Sequence, residues 1–507
     1  MSAVQDRTAE SDVRLPALTG AWSADSGEHT FDVHDPATGS VVAKVHGAGE
    51  AEVDAAVHRA RAAYEQTWRL IGARERGALL AECSRVILEH ADELAALETL
   101  EMGKPLHISR AFDVQFCVNS FAFYAGLADK QPGAAFDLGP VAAHTVHEPY
   151  GVVAGILPFN WPPIHVAAKT APALAAGNVV ILKPPDQDPL TVMRIGELLA
   201  GVLPPDVVQV LPGWGPEVGA ALAGHPLVER LSFTGSTATG RAVLKLAAEA
   251  MTPVTLELGG KNPLLVFADA DLDAAVRAAV EGAFFNQGEA CTAASRLLVD
   301  ERIHDEFVER LSAMVCRLVV GPGSDPRTHV GPMVTAAHQQ RVQAAIERAV
   351  AEGATVAATA PIPGDPSVAD GYWVAPTLFT GASPSMAVWQ EEVFGPVTVV
   401  LPFADEAEAV RLANDTPYGL LAAIYTGDSA RARRVSRAIE AGVVLVNNYN
   451  RAVLGTPFGG YKDSGYGREH AIESMLDFTR VKNIREPSGI GTIPEWVALD
   501  DLAQDSR

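Results

Sequence analysis

From residue 152 onward the chain repeats one unit, a short apolar run followed by a longer stretch with helical periodicity. The runs VVAGIL (152–157), NVVILKP (178–184), VVQVLPG (207–213) and LVERLSFTGS (227–236) read as strands. Between and after them, 162–177, 189–203, 217–225 and 237–250 read as helices. Strands this apolar, separated by helices, predict a mostly parallel sheet covered on both faces, so the fold class is α/β. TPVTLELGG (252–260) and NPLLVF (262–267) add strands. A second alternating region runs from 268 to about 447, with helices at 275–284, 303–315 and 336–353. Its strands fall at 296–300, 373–380, 395–403, 422–427 and 442–448. Before residue 140 the pattern is helical, over 49–67, 73–100 and about 108–128, with GKP (103–105) as a breaker. Segment 141–157 reads as two strands around a turn at Pro149 and Gly151.

Composition closes several function classes. The net charge of −23 repels nucleic acid and anionic membrane surfaces, so neither is an expected partner. Arg431, Arg433, Arg434 and Arg437 share a helical stretch with Ala and Ser and read as a solvated face. No apolar run approaches the roughly 20 residues of a membrane span, and the first residues lack a signal-peptide pattern, so a cytoplasmic protein is expected. The four cysteines form no CxxC pair and no zinc spacing, so no metal is expected. From about 488 the chain turns polar and reads as a loosely packed tail.

A few residues stand out as chemically capable. Cys291 lies among Ala290, Thr292 and Ala293, small neighbours that leave a sulfur reachable, although most free cysteines are simply buried hydrophobes. Glu257 ends an apolar strand before two glycines, as either a general base or a carboxylate capped by loop N–H groups. In LSFTGSTATG a strand, a glycine turn and a helix start succeed each other, so Gly235, Ser236 and Gly240 could face a diphosphate, or serve only the turn. Lys183 ends a strand and Asp186 comes three residues later, a pair suited to a nucleotide ribose unless the lysine is merely solvated. Asn160 sits between bulky rings and prolines in LPFNWPP, as a fixed amide donor or a turn asparagine.

Together the motifs LPFNWP (157–162), ILKPPDQDPLT (181–191), SFTGSTATG (232–240), LELGGKNP (256–263), FNQGEACT (285–292), EEVFGPV (391–397), NDTPYGL (414–420) and PFGGYKDSGYGRE (457–469) settle the choice. In order and spacing the chain resembles the NAD(P)+-dependent aldehyde dehydrogenase superfamily over almost its full length. The resemblance implies that Cys291 attacks the aldehyde, that Asn160 and the Cys291 backbone N–H hold the oxyanion, and that Glu257 activates the hydrolytic water. Lys169 and Glu469 would relay the proton or support that base. Lys183 and Asp186 would bind the adenosine ribose, Gly235, Ser236 and Gly240 the diphosphate, and Glu392 the nicotinamide ribose, with Leu157, Phe159, Leu258 and Phe394 packed along the cofactor. Asp186, where NAD+-preferring members usually carry Glu, would repel a 2′-phosphate, so NAD+ is expected, with NADP+ the alternative.

The resemblance also implies a Rossmann-type cofactor domain (1–130 and 150–259), an α/β catalytic domain (260–465), a small β oligomerisation unit (131–149 with 476–490) and a C-terminal tail (491–507), assembled as a homodimer or homotetramer. Positions matching the family's pocket are Trp161, Ile164, His165, Ala168, Phe285, Ala290, Thr292, Asn450, Ala452 and Phe458. Small Ala168 and Ala452 leave room, three aromatic rings could stack, and His165, Asn450 and Arg451 add polarity. The expected substrate is an aromatic or medium-to-large aliphatic aldehyde, with semialdehydes and amino-aldehydes as alternatives. A CoA-acylating enzyme would not need Glu257, and a non-catalytic scaffold would not need Cys291, Glu257 and Asn160 together.

Overall fold

The computed structural model describes residues 30–493. The expected tail lies mostly outside these residues, as does the start of the first segment. The alternating region at 152–257 builds a six-stranded sheet. Its order is Gly465–Tyr466, Val254–Glu257, Arg230–Thr234, Val152–Ile156, Val179–Lys183, Val208–Val210. Every pairing is parallel except that of Gly465–Tyr466, which returns antiparallel from far along the chain. Val152–Ile156 and Val179–Lys183 are buried at every residue, as strands covered on both faces must be.

The second alternating region builds a seven-stranded sheet. Its order is Thr355–Thr359, Thr377–Thr380, Val397–Phe403, Arg296–Asp300, Pro263–Val266, Leu421–Tyr425, Val443–Val446. Only the Thr355–Thr359 edge is antiparallel. The chain crosses from the first sheet to the second between Glu257 and Pro263. Among the described residues no helix is long and apolar enough to cross a membrane.

Two local expectations change. Residues 141–157 do form two strands, but these do not pair with each other. Val141–Pro149 lies between Ala135–Asp137 and Thr479–Pro487 in a separate antiparallel sheet, whereas Val152–Ile156 is interior to the six-stranded one. Gly151, at φ +128°, redirects the chain between them, a conformation a side chain would strain. The helix expected over 73–100 is two helices, Ala73–Glu89 and Ala91–Met102. His90 leaves helical geometry (φ −105°, ψ 14°), and its Nδ1 lies 2.9 Å from the Val86 carbonyl, a local contact that competes with the helix ladder.

One helix carries several of the chemically capable residues inward. Pro162–Ala176 opens on two prolines, which suit a first helical turn, and is buried along its whole length. It packs on the Ala73–Glu89, Gln115–Leu127 and Leu190–Ala200 helices. Ile164, His165, Ala168 and Lys169 are thereby placed in the interior.

Candidate active site

The crossing between the sheets is also where the reactive groups gather. A Cβ on Gly260 would lie 2.3 Å from the Cys291 carbonyl oxygen, so the cysteine loop rests directly on the glycine crossing. Asn262 Nδ2 donates to the Cys291 carbonyl (2.8 Å) and the Ala293 carbonyl (2.9 Å), and the Tyr449 hydroxyl donates to the Thr292 carbonyl (2.8 Å). Ala290 and Thr292 are buried, while Cys291 keeps a partial opening.

Burial pushes the Cys291 thiol well above its usual range, and the charges of Glu392 and Glu257 push it further, against its own backbone N–H. That direction favours the thiol over the thiolate at neutral pH. Iodoacetamide should label Cys291 slowly at pH 7, about tenfold faster per pH unit up to beyond pH 9, and Glu392→Gln should speed labelling at fixed pH. A plateau at neutral pH, followed by mass spectrometry of the Cys291 peptide, would show a thiolate already formed.

Asn160 is buried beside this loop, its Nδ2 donating to the Glu289 carbonyl (3.1 Å). Its own carbonyl accepts from Lys104 Nζ (3.0 Å) and Asn286 Nδ2 (3.1 Å). Glu257 is buried too, and neither of its carboxylate oxygens has a protein partner. Burial raises its pKa well above the carboxylate range. Glu469 adds to the rise and Lys169 opposes it. Behind it, Lys169 Nζ donates to Glu469 (2.9 Å), Ser232 Oγ (3.0 Å) and Thr234 Oγ1 (2.7 Å). Burial pushes Glu469 up, but Lys169, His470 and the Ser232 hydroxyl together outweigh it and hold the carboxylate below its usual range. Glu392 accepts the Gly260 N–H at 2.8 Å, and burial raises its pKa to about 7. A Cβ on Gly259 would meet its carboxylate, so a side chain there would displace Glu392 from the Gly260 N–H.

Along the carboxyl ends of the six-stranded sheet lie groups suited to a dinucleotide. Lys183 is buried and paired with Asp186, whose second oxygen accepts the Gly215 N–H at 3.1 Å. The helix Thr237–Glu249 opens on Ser236, which is exposed and accepts the Thr239 N–H at 3.2 Å. Gly240 is flush with Leu258, where a Cβ would meet the side chain at 2.5 Å, and a Cβ on Gly235 would meet the Phe233 ring at the same distance. Phe394, at φ +56°, packs edge-on to Phe159 with centroids 5.7 Å apart. Leu157 is buried at the head of the same loop. An open helix N-terminus, a glycine cradle and a ribose-type acid fit a dinucleotide.

Trp161, Ile164 and Ala290 cluster with Phe116, and Phe112, Phe285, Ala293, Ala452 and Leu454 pack on them. Trp161 stacks on Phe285 at 5.7 Å, and Phe112 meets both edge-on. Phe458 tilts against His470, which Phe116 meets on another edge. Ala168 is buried within its helix. Asn450 is exposed and outside the cluster. His165 faces Asn160 rather than open space, with Nε2 3.2 Å from Oδ1.

Phe112, Phe116, His470 and Lys104 escaped the sequence reading. Lys104 sits in the breaker GKP, yet it is buried between Glu98 and Asp113, with its Nζ 4.3 Å from the Trp161 ring centroid. The available signal was Glu98, one helical turn beyond the buried Leu94 and on the same inward stripe.

A half-open thiol, a buried unpaired carboxylate and a buried amide thus stand around one glycine crossing, at the carboxyl edge of a parallel sheet, an arrangement compatible with covalent chemistry at sulfur. Residues 22–484 match the aldehyde dehydrogenase family. The chain belongs to that family. It is 48% identical to aldehyde dehydrogenase citD of Monascus ruber over 97% of this chain and 98% of that one. It is 41% identical to the 2-hydroxymuconic semialdehyde dehydrogenase of Pseudomonas sp. (strain CF600), covering 92% and 98% of the two chains. Among solved structures, PnpE in complex with nicotinamide adenine dinucleotide superposes with a TM-score of 0.89 at 40% identity, covering 92% of this chain and 96% of that one.

Proposed function

We propose that this protein oxidises an aldehyde to its carboxylic acid with NAD+ and water, through a thioester on Cys291. The partly open Cys291 thiol gives its proton to solvent, the thiolate attacks the carbonyl carbon, and the new oxyanion is met by the Asn160 amide and the Cys291 backbone N–H. NAD+, when bound, supplies the hydride acceptor. Glu392 and Phe394 would hold its nicotinamide end, and Lys183, Asp186, Ser236, Gly235 and Gly240 its adenosine and diphosphate, a reading supported by the Glu392 contact at Gly260 and the buried Lys183–Asp186 pair. Loss of hydride from the thiohemiacetal carbon leaves the thioester. Glu257 takes a proton from water, water adds to the acyl carbon, and the C–S bond breaks to release acid and thiol. The observation that carries this reading is Glu257 itself, buried with neither carboxylate oxygen partnered, at the end of the strand that leads into the glycine crossing beneath the Cys291 carbonyl. Lys169 and Glu469 stand behind it as the route for the proton.

The aromatic wall of Phe112, Phe116, Trp161 and Phe285 favours an aromatic or bulky aliphatic aldehyde. A semialdehyde is the second reading, supported by the buried Arg451 guanidinium on the Phe285 ring. The exposed strand Thr479–Pro487, an open sheet edge bearing Val481, supports a homodimer or homotetramer. On this reading the assembly is assigned to the cytoplasm, with 1–130 and 150–259 as cofactor domain, 260–465 as catalytic domain, 131–149 and 476–490 as oligomerisation strands and 491–507 as tail.

An aldehyde panel tests the reaction. NADH should form without CoA, and strict CoA dependence would reject the hydrolytic step. In the same assay kcat/KM for NAD+ should exceed that for NADP+ by about tenfold or more, because Asp186 opposes a 2′-phosphate. An NADP+ preference would remove Asp186 from that role.

A further inference from the structure

We infer that His165 is a positioning residue for this reaction, its ring N–H locking the Asn160 side-chain amide in the orientation that offers an N–H to the oxyanion. The inference rests on the oxyanion role of Asn160 proposed above. His165 Nε2 lies 3.2 Å from Asn160 Oδ1, and both side chains are buried. Nothing in that distance alone says which atom donates, but the next contact does. The other end of the amide faces the Glu289 carbonyl at 3.1 Å, which can only accept and which also receives Asn286 Nδ2 at 3.1 Å. The amide must therefore turn Nδ2 to that carbonyl, leaving Oδ1 toward the ring. An oxygen there requires a donor, so the ring carries its proton on Nε2. Nδ1 is then a bare lone pair, and it is indeed buried without a partner, a cheaper orphan than an N–H.

The ring also stays neutral. Burial lowers the His165 pKa well below its usual value, and the positive charges of Lys169, His470 and Lys104 lower it further. One proton and one acceptor thus meet in a single arrangement. Sequence brings them together cheaply. Asn160 sits just before the Pro162–Ala176 helix, and the His165 N–H bonds the Trp161 carbonyl (3.0 Å) in its first turn, so both side chains hang from one rigid element. With Nδ2 spending one hydrogen on Glu289, the other remains for the substrate oxygen. Removing the ring donor leaves Oδ1 buried and unpaired and frees the amide to rotate away.

The test is a double-mutant cycle in the full-length protein with His165→Leu and Asn160→Ala, alongside His165→Gln, which keeps a donor. Aldehyde oxidation with NAD+ is followed for kcat and KM, with NAD+ affinity from fluorescence titration and folding from thermal melts. Asn160→Ala should lower kcat by about 10²–10³-fold. His165→Leu should lower kcat by about tenfold, with both KM values within about twofold, and His165→Gln should restore most of it. On the Asn160→Ala background, His165→Leu should cost less than about twofold. An equal loss on both backgrounds, a Gln variant as slow as the Leu variant, or a Leu variant at wild-type kcat would each overturn the inference. Should the Leu variant fail to fold, His165→Met replaces it in the same cycle. Wild-type kcat in Asn160→Ala would instead reject the oxyanion role on which the inference depends.

Discussion

Cys291→Ser is expected to lower aldehyde oxidation by about 10⁴-fold or more while leaving the NAD+ Kd within roughly threefold. A serine hydroxyl titrates far above a thiol, and the carboxylates Glu392 and Glu257 oppose ionisation at this position. The substitution leaves the glycine crossing, Asn262 and Tyr449 untouched, since these grip backbone carbonyls rather than the sulfur. Folding and cofactor binding should therefore survive, as thermal melts and fluorescence titration would show. Turnover close to wild type would remove Cys291 as the nucleophile.

Glu257→Gln should separate the two halves of the reaction. The first NADH per site should still form in stopped flow, while steady-state turnover falls by about 10²–10⁴-fold and an acyl group accumulates on Cys291, visible as added mass. Loss of the burst would mean that Glu257 acts before the thioester exists. The pH dependence has a definite sign. Burial, then Glu469, raise the Glu257 pKa, so wild-type deacylation should fall as pH drops through that raised value. Stability runs the other way. The neutral acid is the form the fold tolerates, so its contribution is complete below the ordinary carboxylate pKa and is lost as pH climbs through the raised one. The Tm advantage of Glu257→Gln over wild type should accordingly grow with pH across that window.

Much of this site was legible in the chain because its groups occupy local settings with their own logic. Glu257 ends an apolar strand and precedes Gly259 and Gly260, and the structure shows why both are glycine, one beneath the Glu392 carboxylate and one beneath the Cys291 carbonyl. Ser236 begins a helix as an N-cap, as its position after Gly235 suggested. Lys183 ends a strand as expected, and of the two alternatives the sequence left open, a pair with Asp186 or a solvated lysine, the structure shows the buried pair.

His165 shows where sequence stops. Helical periodicity sorts residues only when one face meets water, and Pro162–Ala176 is buried on all faces, so the pattern gave no direction for the ring. Lys104 was hidden differently, because a glycine and a proline around it signal a turn and say nothing of the Glu98 and Asp113 carboxylates that enclose it.

The sequence by itself determined the layers and the parallel strands, because apolar alternation is local, and its motifs singled out Cys291, Glu257 and Asn160 as the candidate thiol, acid and amide. Only the tertiary structure decided that strands 141–149 and 152–156 part into different sheets, that Glu257 lies buried with neither carboxylate oxygen partnered, and that a histidine faces the Asn160 amide. Those outcomes depend on the packing of segments more than 100 residues apart, such as Asn160 against Glu289, and a local pattern carries no record of which distant carbonyl an amide will meet.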